Sequence, residues 1–186
     1  MRLLSTLAIT SVLAATAAAA TVPRQAPEFA IQMPNKSQIL LSQHRGKVVL
    51  LEVLLTTCPH CQHASQIMSR LQTEYGPRGF QALGVAFNDM AHMLVADFVR
   101  DFKVNYPVGY SPREPVVSFL QANPQQSLHV PQLVFIDKKG VIRHQSLQQN
   151  DSQSHSEQFM RKMIEQLLAE PSTSSSAAPA KKKKAS

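Results

Sequence analysis

The stretch Leu50-Leu51-Glu52-Val53-Leu54-Leu55-Thr56-Thr57-Cys58-Pro59-His60-Cys61 constrains this chain more than any other. An apolar run with strand character ends in a small polar pair, and a Cys-x-x-C pair then opens a segment with helical periodicity. Residues 48–55 are almost continuously apolar, as expected of a central strand in a parallel sheet covered on both faces. Pro59 suits the first helical position, where its missing N–H would have no partner anyway. Ala64, Ile67, Met68, Leu71 and Tyr75 give the following helix one buried stripe, and Gly76-Pro77 stops it. Cys58 and Cys61 are the only cysteines in 186 residues. Separated by two residues at a strand-to-helix junction, they close into one small ring, the geometry of a reversible redox switch rather than of a framework staple.

The segments on either side complete a layered pattern. Residues 29–33 and 38–41 are short strand candidates joined by the turn Pro34-Asn35-Lys36, which predicts a hairpin. Residues 80–87 form a second buried strand, after which Asn88 or Asp89 is expected to cap a helix whose Leu94, Val95, Phe98 and Phe102 share a face. A short strand over 106–110 and a short helix over 115–122 follow. Val130-Pro131 leads into a strand over 132–137, turned by Lys138-Lys139-Gly140 into another over 141–144. Ser154-x-x-Glu157 has the capping-box pattern and precedes a last amphipathic helix carrying Phe159, Met163, Ile164, Leu167 and Leu168. The order strand, helix, strand, helix implies a parallel βαβ core with right-handed crossovers.

Charge and composition narrow the function classes. The formal net charge of +7 is concentrated at the ends, in Arg2 and in Lys181 to Lys184, so the 14 remaining basic side chains nearly balance 12 acidic ones. No basic stripe interleaved with aromatics is left, and nucleic acid is not an expected partner. Residues 1–20 combine an early positive charge, an apolar centre and a small-residue end, Ala17-Ala18-Ala19-Ala20, and read as a cleavable secretory signal peptide. An uncleaved anchor is the competing reading, though alanine and threonine dilute the run and it is barely long enough to span. No cysteine follows the leader, so lipoprotein anchoring is not expected, nor is stable membrane insertion after cleavage. Export to a periplasmic or secreted location would put the cysteine pair in an oxidising compartment. Residues 21–26 read as a lead-in, 27–169 as the folded domain, and 170–186 as a disordered Ser/Ala/Pro/Lys tail with nothing apolar to dock.

The thiolate is the nucleophile in disulfide exchange. Cys58 stands just before a helix start, where free N–H groups and the helix dipole favour negative charge, and His60 adds a nearby donor or cation. Cys58 is therefore the expected attacking thiol, and Cys61, one turn in and facing the core, the expected resolving thiol. On the residues alone, half of a zinc site or an inert pair are the alternatives; a closed zinc site needs four ligands, and the chain has no second cysteine pair.

The succession of hairpin, GKVVLLEVLLTTCPHC, helix, FQALGVAF, helix, HVPQLVFIDKKGVI and final helix resembles the thioredoxin superfamily, in its exported TlpA-like and AhpC/TSA-related branch, over roughly residues 27–168. The resemblance implies an α/β thioredoxin fold: a central mixed β-sheet flanked by helices, with an N-terminal β-hairpin extension. It implies a thiol-disulfide oxidoreductase acting on protein thiols and disulfides with a redox partner protein. No organic cofactor is expected, the redox-active disulfide Cys58–Cys61 being the reactive group. Val130 and Pro131 would carry the cis proline packed against that disulfide. Glu52, six residues before Cys58 in a strand where a carboxylate is costly to bury, would serve as proton acceptor for Cys61; an edge-exposed or paired glutamate is the plainer reading of that residue. Pro59-His60 and Val130 resemble the strongly oxidising DsbA-type proteins, which places the expected potential between about −270 mV for thioredoxin and about −120 mV for DsbA. Thr57 departs from the family, where Trp usually precedes the first cysteine, and the chain has no Trp. There is also no large helical insertion of the DsbA kind.

Two other functions occur on the same fold. A copper-handling protein similar to the SCO-type chaperones would use Cys58, Cys61 and His129, since two thiols and an imidazole suit a soft ion; those proteins carry C-x-x-x-C, and His129 as a plain loop residue is the simpler reading. His63, two residues past Cys61, reads as solvated. A peroxidase needs a Thr three residues and a Pro seven residues before its reactive cysteine. Leu55 and Leu51 stand at those places for Cys58, and Cys58 and Leu54 for Cys61, so that reading is rejected.

Overall fold

The computed structural model describes residues 21–146 and 152–171. Residues 1–20 and most of the expected tail lie outside the described residues. The core is built around β4 (Val48–Leu54), whose seven residues are all buried. That follows from its sequence: a strand with apolar side chains on both faces needs a layer on each side. β4 runs parallel to β5 (Phe80–Ala86) and antiparallel to β7 (Gln132–Ile136), with Glu52 opposite Gly84 on one side and Leu133 on the other. The crossover between β4 and β5 is α1 (Pro59–Tyr75), and that between β5 and β6 (Val108–Tyr110) is α2 (Ala91–Asp101). After α3 (Arg113–Leu120), β7 and β8 (Val141–Gln145) form a hairpin, and α4 (Glu157–Ala169) closes the domain.

The expected hairpin is present as β2 (Ala30–Gln32) and β3 (Gln38–Leu40). It is not appended to the sheet but continues it, with Gln32 opposite Tyr110 of β6. Residues 21–26, read from sequence as a lead-in, contribute a further strand, β1 (Arg24–Gln25), antiparallel to β8. Among the described residues the result is one mixed sheet of eight strands in the order β1-β8-β7-β4-β5-β6-β2-β3. This is the expected central mixed sheet flanked by helices. Alternate residues of β4 divide between its two layers. Val48, Leu50 and Leu54 pack with α1, α2 and α4. Val49, Leu51 and Val53 pack with Val116, Phe119 and Leu120 of α3 and with Phe29, Ile31 and Leu41.

Two expected helix caps are placed differently. The structure uses Met90, in the left-handed region at φ 57°, ahead of α2, because the Asn88 side chain is engaged elsewhere. Ser156, not Ser154, caps α4 by accepting the N–H of Phe159 at 3.2 Å. Ser154 is buried, and its hydroxyl meets Nε2 of His144 at 2.8 Å. The buried face of α4 is centred on Met160, Ile164 and Leu167, with Phe159, Met163 and Leu168 partly buried at its flanks. The strand expected over 106–110 starts at Val108, leaving Tyr106 in the approach to it.

Candidate active site

β4 delivers the chain to a three-residue turn, Leu55-Thr56-Thr57, and Cys58 then caps α1 with extended backbone (φ −87°, ψ 118°) and Pro59 in the first turn. The turn is held from three directions. The Cys58 N–H donates to Leu55 O at 3.1 Å. The Thr56 N–H donates to Asn88 Oδ1 at 3.0 Å, while Asn88 Nδ2 donates to Thr56 Oγ1 at 3.1 Å. Gln62 Nε2 donates to Thr56 O at 3.1 Å. Asn88 therefore does not cap α2; it ties the end of β5 to the cysteine turn.

Both cysteines are free thiols, and they differ sharply in access: Cys58 is partly exposed and Cys61 is fully buried. Pro59, His60 and Thr57 are exposed around Cys58. Burial pushes the Cys61 thiol well up, and the neighbouring Glu52 charge and the Cys58 thiol push it further. Cys61 thus keeps its proton unless a base takes it.

Glu52 is the buried acid that the sequence suggested, with 0% of its surface exposed. Its Oε2 accepts hydrogen bonds from Ser65 Oγ at 2.6 Å and from Tyr106 OH at 3.1 Å, and its Oε1 has no hydrogen-bond partner among the described residues. Loss of hydration raises its pKa from 4.5 to about 7, against the lowering effect of the two hydroxyls. The edge-exposed alternative for Glu52 is therefore excluded, and the carboxyl changes protonation near neutral pH.

Val130 and Pro131 arrive from the other side of the site. The Val130–Pro131 peptide is cis, and Val130, like Cys58, packs against the buried cluster that contains Cys61. The loop is fixed by Gln132 Nε2, which donates to His129 O at 2.6 Å, and by His155 Nε2, which donates to Pro131 O at 3.0 Å. Because Gln132 lies opposite Val53 in the ladder between β7 and β4, this loop and the cysteine turn leave the sheet at the same end.

The copper arrangement is not assembled. His129 is exposed, and among the described residues no group of three or more His, Cys, Asp and Glu is placed to hold a metal ion. His63 is also exposed, as expected. Sequence reasoning missed Ser65, Tyr106, Asn88 and Gln62. Only Ser65 carried a readable signal: it lies four residues after Cys61, on the same helix face, as a polar break in an apolar stripe.

Comparison with known proteins agrees with this geometry. The chain is 26% identical over 125 residues to the thiol-disulfide oxidoreductase ResA of Geobacillus kaustophilus, covering 67% of this chain and 68% of that protein. It is 23% identical over 121 residues to ResA of Bacillus cereus, covering 65% and 66% respectively. The chain thus spans about two thirds of the length of these relatives. Among solved structures, the thiol:disulfide interchange protein, thioredoxin family protein from Chlorobium tepidum TLS superposes with a TM-score of 0.66 over 81% of this chain and 99% of that one, at 21% identity. This likeness shows the thioredoxin fold. Residues 22–145 match the model of the AhpC/TSA family, and with two thirds of its length in that match the chain belongs to the AhpC/TSA family.

Proposed function

We infer that this chain is a thiol-disulfide oxidoreductase that exchanges disulfides with protein thiols through Cys58 and Cys61. One observation carries the reading: a partly exposed thiol at a helix start stands over a fully buried one, with a buried carboxyl of pKa about 7 beside it. An exposed thiol can reach a partner's disulfide; a buried one can reach only its neighbour. In the reducing direction the Cys58 thiolate attacks a substrate S–S bond, forming a mixed disulfide and releasing one substrate thiolate. Cys61 then gives its proton to Glu52, and its thiolate attacks Cys58 Sγ. The Cys58–Cys61 bond forms, the second substrate sulfur leaves, and Glu52 returns the proton to solvent or to the leaving thiolate. Two electrons pass from the dithiol to the substrate, and the oxidising direction is the reverse. A redox partner protein resets the pair.

Val130 and Pro131 serve as the wall against which a substrate strand lies beside Cys58. The support for this is the packing of Val130 against the cluster that holds Cys61, and the position of both residues at the sheet end where the cysteine turn leaves β4. Pro59 and His60 shape the exposed side of the thiolate and set the potential. Export belongs to this reading through the composition of residues 1–20; among the described residues no helix is long and apolar enough to cross a membrane. Intact-mass analysis of secreted material tests export, and a mass retaining Met1 to Ala20 contradicts cleavage.

The test of the activity is a trapping experiment. Cys61→Ser should accumulate a mixed disulfide between Cys58 and an oxidised peptide or protein substrate, resolved by neither water nor the serine. Cys58→Ser should form none. Equal capture by the two variants would overturn the assignment of roles, and no exchange by the parent would overturn the function.

A further inference from the structure

The Ser65 and Tyr106 hydroxyls reach one carboxyl of β4 from two different elements. Ser65 is fully buried in the stripe of α1 that otherwise carries Ala64, Ile67, Met68 and Leu71. Alanine would fill that place without desolvating a hydroxyl. Tyr106 is 5% exposed and sits in the approach to β6, within the same apolar cluster as α1. Both hydroxyls converge on a single atom, Glu52 Oε2.

We propose that Ser65 and Tyr106 are positioning residues for Glu52, fixing its carboxyl by Oε2 so that Oε1 alone is left open to receive the Cys61 proton. The proposal rests on the reading of Glu52 as proton acceptor. A glutamate side chain with both oxygens free would rotate, and a carboxyl with both oxygens bonded would accept a proton poorly. Two donors on one oxygen avoid both. Ser65 is one helical turn beyond Cys61, so the same helix that carries the proton donor carries one of the anchors for its acceptor.

The surroundings leave few other groups to set the titration. From α1 the titratable neighbour is Cys61, which itself adjoins Cys58, and from the approach to β6 it is Tyr106. The residues facing this cluster from α2 are Ala91, Val95 and Phe98, and from α4 Met160, Ile164 and Leu167. The adjoining strands bring Gly84 and Leu133 alongside. Burial and the neighbouring Glu52 charge hold the Tyr106 hydroxyl neutral well beyond neutral pH, so it remains a donor throughout. Both hydroxyls favour the carboxylate over the acid, and they offset part of the desolvation that raises Glu52. Removing either one raises the Glu52 pKa further and leaves less carboxylate at neutral pH.

The experiment is single-turnover reduction of a disulfide peptide by reduced full-length protein across about pH 5.5 to 9, with acid quench so that mixed-disulfide formation and resolution are followed separately. In Ser65→Ala and Tyr106→Phe, the midpoint of the resolution step should move upward by about one pH unit, the size expected for losing one hydrogen bond to a charged group. Well below the parent midpoint the step should slow roughly tenfold, and formation should be unchanged. Ser65→Thr, which keeps a hydroxyl, should restore the parent midpoint. Tyr106→Phe keeps the ring, so it answers the question even if Ser65→Ala folds poorly. Parent midpoints in both variants, together with loss of the pH dependence in Glu52→Gln, would overturn the positioning role and leave the acceptor role standing. Parent pH dependence in Glu52→Gln would overturn the acceptor role and, with it, this proposal.

Discussion

Replacing Glu52 by glutamine should change the stability of the fold in a pH-dependent way whose sign and size follow from the burial of one carboxyl. Glu52 is 0% exposed, and its pKa rises from 4.5 to about 7 on folding. Because the folded carboxyl keeps its proton to a higher pH than the unfolded one, the native state binds more protons between about 4.5 and 7, and stability falls as pH rises through that window. At ~1.36 kcal/mol per pH unit, the penalty is complete above about pH 7 and amounts to about 3 kcal/mol. That is a large fraction of the roughly 5–15 kcal/mol typical of small domains. Glutamine has the same shape and no charge, so Glu52→Gln removes the penalty. The assay is urea unfolding of the reduced protein at intervals from about pH 5 to 8.5 under a phosphine reductant. Near pH 5 parent and variant should lie close together, and at about pH 8 the variant should be more stable by about 3 kcal/mol. Other groups, such as the half-buried His44, whose pKa burial lowers, contribute equally to both curves and cancel in the difference. Parallel stability curves would refute the reasoning, because they would mean that the carboxyl is no harder to ionise inside the protein than outside it.

Gly109→Ala should lower the thermal midpoint, since an added Cβ would overlap Gln32 O and lie 2.6 Å from Ile31 Cγ2 where β2 meets β6; the cost is about 1–3 kcal/mol, read by calorimetry, and an unchanged midpoint would contradict it. Asn88→Ala removes the side-chain hydrogen bonds to Thr56 and should cost about 1–3 kcal/mol, with loss of hydrogen-exchange protection at the Thr56 amide; retained protection there would show that the turn is held by its other bonds. His60→Gly should make the Cys58–Cys61 couple more reducing in a glutathione equilibrium, and a potential equal to the parent's would remove His60 from the tuning of the pair.

What the sequence disclosed depended on whether local pattern and tertiary demand agreed. β4, β5 and β7 were legible because a strand buried on both faces is apolar throughout, and α1 because Pro59 and the stripe from Ala64 to Tyr75 mark its start and face. Glu52 stood out because a lone carboxylate in such a strand needs a reason. The caps were misplaced because Asn88 and Ser154 have good capping chemistry but are claimed by Thr56 and His144, contacts separated by 32 and 10 residues in the chain. β1 was missed because a two-residue strand, Arg24–Gln25, is too short to show alternation. Tyr106 could not be recognised, since its role depends on the packing of two crossovers against each other and leaves no periodic trace. His129 and the cysteines are both visible in the sequence, but only the fold shows that they are not gathered into one site.

The sheet tapers toward both margins: its outermost strands, β1 and β3, have two and three residues. Long strands with unpaired backbone groups recruit other chains, and short ones offer too few consecutive donors and acceptors to do so. An oxidoreductase that takes protein thiols as substrates would be exposed to that kind of capture at every encounter. With its seven-residue strands placed at the centre and only stubs at the rim, this fold gives a visiting chain little to pair with along either border. Placing the shortest strands at the margins is in this sense a guard against unwanted strand addition.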